Sequence, residues 1–195
     1  MIRAELRADG KLEISGYVNA VGRDSRPVST PRGVVVEQIE PGVFAEAIKR
    51  AAKVALRLNH VEHDYASTAD ETLKLEEDNI GLRASTVVDD AHIIQLAKEK
   101  KLKGWSFGAY MLEDEMEERA EKIPRRHIKK MDLFEVSLVS DAYNPVYAGT
   151  SIEQRAEGDV IAETRATEDD LDFKESAPVH KYDEYEERIK QLRKE

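Results

Sequence analysis

Three places in the chain carry side chains suited to hydrolytic chemistry. His60, Glu62, His63 and Asp64 lie together in "LRLNHVEHD", directly behind an apolar alternating run, while Ser106 stands in "GWSFGAY" and Glu135 in "LFEVSLV". An imidazole that titrates near neutrality can take the proton of a serine hydroxyl. A carboxylate can orient that imidazole and stabilise its cation. In an extended chain Trp105 and Phe107 share one face and Ser106 the other, with Gly104 and Gly108 permitting close backbone approach. Phe134, Val136 and Leu138 likewise share a core-facing parity, opposite to Glu135 and Ser137. The same pattern also describes an ordinary serine and an ordinary glutamate on a solvated strand face, and residue types alone leave both readings open.

His60 and His63 could instead hold a metal from one helical turn. Against this, the residues ahead of them alternate like a strand and "HVEH" is not the HExxH of zinc peptidases. The H-x-E signature of zinc deaminases needs two cysteines, and the chain has none. A metal-dependent hydrolase built on His60, His63 and Asp64 is therefore the weaker chemistry. The serine reading carries its own condition. His60 has the parity of Val54, Leu56 and Leu58, so an uninterrupted strand would aim it into the core, and the strand must end or bulge near Asn59 for the imidazole to serve.

The elements that would position these residues follow from periodicity. Residues 2–7 and 12–18 alternate around the turn "ADGK" as a hairpin. "RDSRPVSTPRG" reads as a loop, and a β-branched strand follows over residues 34–39. In "EPGVFAEAIKRAA", Val43, Phe44, Ala47 and Ile48 fall at helical spacing behind Pro41. "KVALRL" is again a strand, as are residues 72–75 and 82–88 around "EDNIG". Asp90 is placed to cap a helix over residues 91–100. Residues 104–110 and 133–140 are strands, separated by a highly charged segment whose basic cluster, "IPRRHIKK", reads as a solvated loop. About seven short strands and a few helices predict a β-rich α+β fold, a small closed or partly closed β-barrel with helices packed outside it.

Composition sets the outer bounds. With 195 residues, 41% hydrophobic and 36% charged, the chain can bury one ordinary core and keep charge for solvated segments. The lack of cysteine excludes disulfides, thiolate metal sites and a cysteine nucleophile. No run of about 18 apolar residues and no leader-like start are present, which predicts a soluble, unexported protein without membrane contact. A net charge of −10 argues against a broad nucleic-acid surface. From Ser151 on, 14 acidic residues face 8 basic ones. The chain thus divides into residues 1–150 and an acidic tail, residues 151–195. The tail is expected to be flexible over residues 151–176 and to end in an amphipathic helix carrying Tyr182, Tyr185, Ile189 and Leu192.

Six segments, in order, carry a family resemblance: "ISGYVNAVGRDSRPV", "VVEQIEPGVFAEAIK", "LRLNHVEHDYAST", "LKLEEDNIGLRAS", "LKGWSFGAYM" and "DLFEVSLVSDAYNPVYAGT". Over residues 14–150 the chain resembles the prohead maturation proteases of tailed bacteriophages, a family related in fold to the herpesvirus capsid proteases. Carried over by position, the family's catalytic histidine falls on His60 and its nucleophile on Ser106. Glu135 is the expected third member, with His63, Glu62 and Asp64 in reserve. The resemblance implies a serine endopeptidase without metal or cofactor, enclosed in the immature capsid in the host bacterial cytoplasm. Its substrates would be major capsid protein, scaffold segments and itself, and a homo-oligomer is compatible with that setting. The rival from another class is a non-catalytic capsid assembly or scaffolding factor that binds coat protein through the acidic tail.

Overall fold

Alternation of apolar residues builds most of the strands. The computed structural model describes residues 2–30, 33–142, 160–163 and 171–176. In chain order the elements are β1 (Ile2–Leu6), β2 (Leu12–Ala20), β3 (Val28–Thr30), β4 (Gly33–Ile39), α1 (Val43–Arg50), β5 (Ala55–Leu58), β6 (Ala66–Ser67), β7 (Leu73–Glu77), β8 (Gly81–Val88), α2 (Ala91–Lys98), β9 (Leu102–Glu117), β10 (Arg125–Ser140), β11 (Val160–Glu163) and β12 (Leu171–Glu175). One sheet runs β12-β1-β2-β8-β7, and the other β11-β9-β10-β4-β3 with β5 and β6 attached through β10. The fold is β-rich with two helices among the described residues.

No closed barrel of about seven short strands forms among the described residues. The described strands number 12, and the two sheets do not close on each other. The reason is the length of β9 and β10, 16 residues each. The charged segment expected to separate two short strands instead prolongs both into one antiparallel hairpin. β10 is long enough to pair in parallel with β4 through its first residues and with β5 through its last, so the sheet branches there rather than closing. "IPRRHIKK" is mostly strand, not a solvated loop. Its Arg126 is buried, with a guanidinium nitrogen 3.1 Å from Glu37 and another ion pair to Asp114.

Most first-half elements match the periodicity, including the β1–β2 hairpin and both helices, but the expected loop "RDSRPVSTPRG" holds β3, which pairs antiparallel with β4. β1 and β2 pack on β9, and α1 lies against β10 and β7, its Phe44 meeting Phe107 edge to face at 5.3 Å. Gly42 takes a left-handed φ of 91° to start α1 and has no side chain to cap it. The carboxylate of Glu77 in β7 does so instead, accepting from the amides of Gly42 and Ala45 at 2.6 and 2.8 Å. Asp90 caps α2 as expected, accepting from Ile93 N at 2.9 Å.

Two stretches within the expected flexible linker are strands. Val160–Glu163 joins β9, and Leu171–Glu175 joins β1 in parallel. The second had a readable cause, since Leu171 and Phe173 alternate and pack on the core while β1 offers an edge. The boundary near residue 150 and the terminal helix lie outside the described residues.

Candidate active site

β5, β10 and β9 lie side by side, and their register decides which side chains meet. Ser137 of β10 stands between Arg57 of β5 and Ser106 of β9, while Glu135 stands between Ala55 and Gly108. Side chains at matched positions share a face. Arg57, Glu135, Ser137 and Ser106 therefore project together, and Leu56, Val136, Phe107, Trp105 and Leu138 project into the core on the other side.

β5 stops at Leu58, which releases His60 from its core-facing parity. Asn59 and His60 have φ of 52° and 59°. Val61 N donates back to Leu58 O at 3.1 Å, giving a tight turn with two left-handed central residues of the type I′ kind. Asparagine and histidine tolerate this region better than most residues, yet a left-handed non-glycine costs about 1 kcal/mol or more unless its surroundings impose it. Here the surroundings do so. Asn59 N donates to Leu138 O at 2.8 Å, its Nδ2 donates to Ser140 Oγ at 2.9 Å, and Ser140 N donates to its Oδ1 at 2.8 Å. Asn59 thus ties the turn to the end of β10.

The turn lays the His60 ring across the sheet face. Nδ1 is 2.6 Å from Glu135 Oε1, and Nε2 is 2.9 Å from Ser106 Oγ. Because a carboxylate only accepts, Nδ1 carries the proton and Nε2 is left to accept from the serine hydroxyl. All three side chains are withdrawn from water, with Ser106 at 0% exposure and the side chains of His60 and Glu135 at 12% and 4%. The other Glu135 oxygen faces Arg57 Nη1 at 3.4 Å, an ion contact too long for a good hydrogen bond. Such a chain can pass the serine proton to the imidazole and hold the resulting cation against a carboxylate, which is the chemistry of acyl transfer.

The remaining candidates point elsewhere. Asp64 bonds Lys53 at 2.7 Å and Arg57 at 3.0 Å, and these two cations, Lys53 first, hold its carboxyl below the usual range. His63 is exposed and meets Tyr65 edge to face at 4.6 Å, and Glu62 is exposed. His60, His63 and Asp64 are therefore not gathered. Among the described residues no cluster of three or more His, Cys, Asp or Glu side chains is placed to hold a metal.

One parity expectation fails. A bulge between Leu133 and Glu135 turns Phe134 away from the core and onto the Ser106 face, where it packs on Tyr110 with ring centroids 5.0 Å apart. Leu133 takes the core position instead. The same crowding fixes Gly108, since a Cβ there would stand 2.7 Å from both Glu135 Oε1 and the Phe134 ring. Sequence reasoning also passed over Arg57, which sits at the polar parity of "ALRL", and gave no role to Ser137, whose buried Oγ has no hydrogen-bond partner.

A family model described as caudovirus prohead serine protease matches residues 1–164. No curated protein and no solved structure matches the chain.

Proposed function

The chain belongs to the caudovirus prohead serine protease family, and from that premise we propose that it cuts peptide bonds with Ser106 as nucleophile, His60 as general base and Glu135 as the orienting acid. One observation carries this reading: a single imidazole bridges Ser106 Oγ and Glu135 Oε1 at 2.9 and 2.6 Å, although the three residues come from a strand, a turn and another strand. In the first step Ser106 Oγ bonds to the scissile carbonyl carbon as its proton moves to His60 Nε2. Collapse of the tetrahedral adduct breaks the C–N bond, and His60 hands the proton to the departing amine. Water then attacks the acyl-serine with His60 again as base, releasing the new carboxyl end and restoring Ser106. Glu135 holds the tautomer and stabilises the imidazolium, and Arg57 and the Asn59–Ser140 clamp position these two groups.

The substrates we assign are coat-protein and scaffold segments in the immature capsid, followed by the protease itself, with residues 1–150 as the peptidase unit. The experiment is coexpression with the phage's own coat and scaffold proteins, read by intact mass. Shortening of those proteins is expected with the wild type, and none with Ser106→Ala or His60→Ala. The double variant should be scarcely worse than either single one, because the residues act as a unit. Shortening that persists in Ser106→Ala would remove the serine mechanism. Normal capsid assembly with no shortening by the wild type would favour the non-catalytic assembly factor.

A further inference from the structure

β9 presents two edges, and only one of them faces β10. The other carries Val160–Glu163 in antiparallel register, from Val160 opposite Tyr110 to Glu163 opposite Phe107. The next residue of β9 in that direction is Ser106. Adjacent strands lie about 4.8 Å apart, so the carboxyl end of β11 leaves the ladder beside the proposed nucleophile.

This placement is that of a bound peptide substrate. An extended segment added to a sheet edge satisfies its main chain through the ladder and so is held in a fixed register whatever its side chains. Fixed register is what delivers one particular carbonyl to a nucleophile. Gly108, the β9 residue opposite Ala162, contributes no side chain between the two strands. Ser106 itself has no exposed surface, whereas β11 already lies on the edge of its strand.

We propose that β11 is the protein's own substrate strand and that Ser106 cuts the peptide bond on the carboxyl side of Glu163; this rests on the assignment of Ser106 as nucleophile. Ser106 Oγ bonds to the Glu163 carbonyl carbon, its proton passes through His60 to the leaving amine of Thr164, and water releases Glu163 as a new C-terminus with Ser106 regenerated.

The test is a time course of intact mass on the purified full chain, beside its cleavage of a synthetic peptide matching residues 156–170. The wild type should yield a fragment ending at Glu163 and its complement beginning at Thr164, and Ser106→Ala should stay whole. Ile161→Pro, in the full chain, disrupts the ladder of β11 and should slow the self-cut by about tenfold or more, while still cutting the added peptide, which shows that it is folded. A Ser106-dependent cut at a different bond, or an Ile161→Pro chain that cuts itself at the wild-type rate, overturns the substrate-strand assignment and leaves the peptidase intact. So does a whole wild-type chain that cuts the peptide. A wild type that cuts neither itself nor the peptide overturns the peptidase reading as well.

Discussion

The β9–β10 hairpin has two halves built on opposite principles. Near Gly104–Ala109 and Glu135–Ser140 both faces are buried, and the polar groups of the site sit in that dry layer. Beyond them, residues 112–117 and 125–130 are mostly polar and held by ion pairs such as Lys129–Glu115 and Arg125–Glu117. The difference shows where precision comes from. A charge pair withdrawn from water interacts strongly and resists displacement, while an exposed pair contributes roughly 0–1 kcal/mol and is screened by salt. Catalytic geometry therefore belongs in the first half, and the second half serves to hold the strands in register.

The largest effect should come from the buried half. Glu135→Gln keeps the size and the strand but cannot meet the imidazolium with charge, so turnover of the folded fraction should fall roughly 10⁴-fold. Kinetics on a cleavable peptide check this. If turnover survives Glu135→Gln and collapses in His63→Ala, the third group is His63 and the turn rearranges in solution.

Arg126 sharpens the contrast because it carries a buried charge into the outer half. It is 4% exposed and its partner Glu37 is 1% exposed. Arg126→Met leaves the Glu37 charge buried, and denaturant unfolding should show a loss of about 3 kcal/mol or more. Turnover of the folded fraction should change little. A loss in turnover greater than the loss in folded fraction would mean that the two halves are coupled.

His127 is next in size. Its ring lies 2.6 Å from Glu40 and 3.0 Å from Glu117, a pairing that only the doubly protonated ring satisfies. These carboxylates, Glu117 first and then Glu40 against the opposing effect of burial, raise its pKa above the ordinary 6.5. Because the folded value is the higher one, the stabilisation is complete below about pH 6.5 and disappears as pH rises through the raised value. Melting temperature followed upward from pH 6 should fall in the wild type by more than in His127→Gln. Equal slopes would show that the ring contributes no linked protonation.

The smallest effect is expected at Lys129, whose pair with Glu115 is exposed. Lys129→Ala should leave melting temperature and turnover unchanged within error. A clear drop would mean that the outer half contributes more than register.

These halves also differed in how far the sequence revealed them. Ser106 and Glu135 were readable by parity, since an apolar alternation on either side leaves the odd residues on the other face. His60 was readable only as a condition, because the break after Leu58 depends on Asn59 reaching Ser140, a contact 81 residues away in sequence. Arg57 lay at the right parity, but its approach to Glu135 requires the parallel β5–β10 register, which no local pattern encodes. The outer half was missed for a different reason. In "EDEMEE" and "RRHIKK" most residues on both faces are polar, so the period of two has little apolar signal to express it. The same loss hid the length of β9 and β10 and led to the expectation of about seven short strands in a closed or partly closed barrel.

The central claim is that one imidazole activates Ser106, and reaction with a serine-directed fluorophosphonate tests it most directly. The wild type should gain a single adduct, mapped by peptide mass to Ser106, and His60→Ala should gain none at the same exposure time. An adduct on Ser137, or a protein that cleaves peptide yet takes no label at Ser106, would contradict the account.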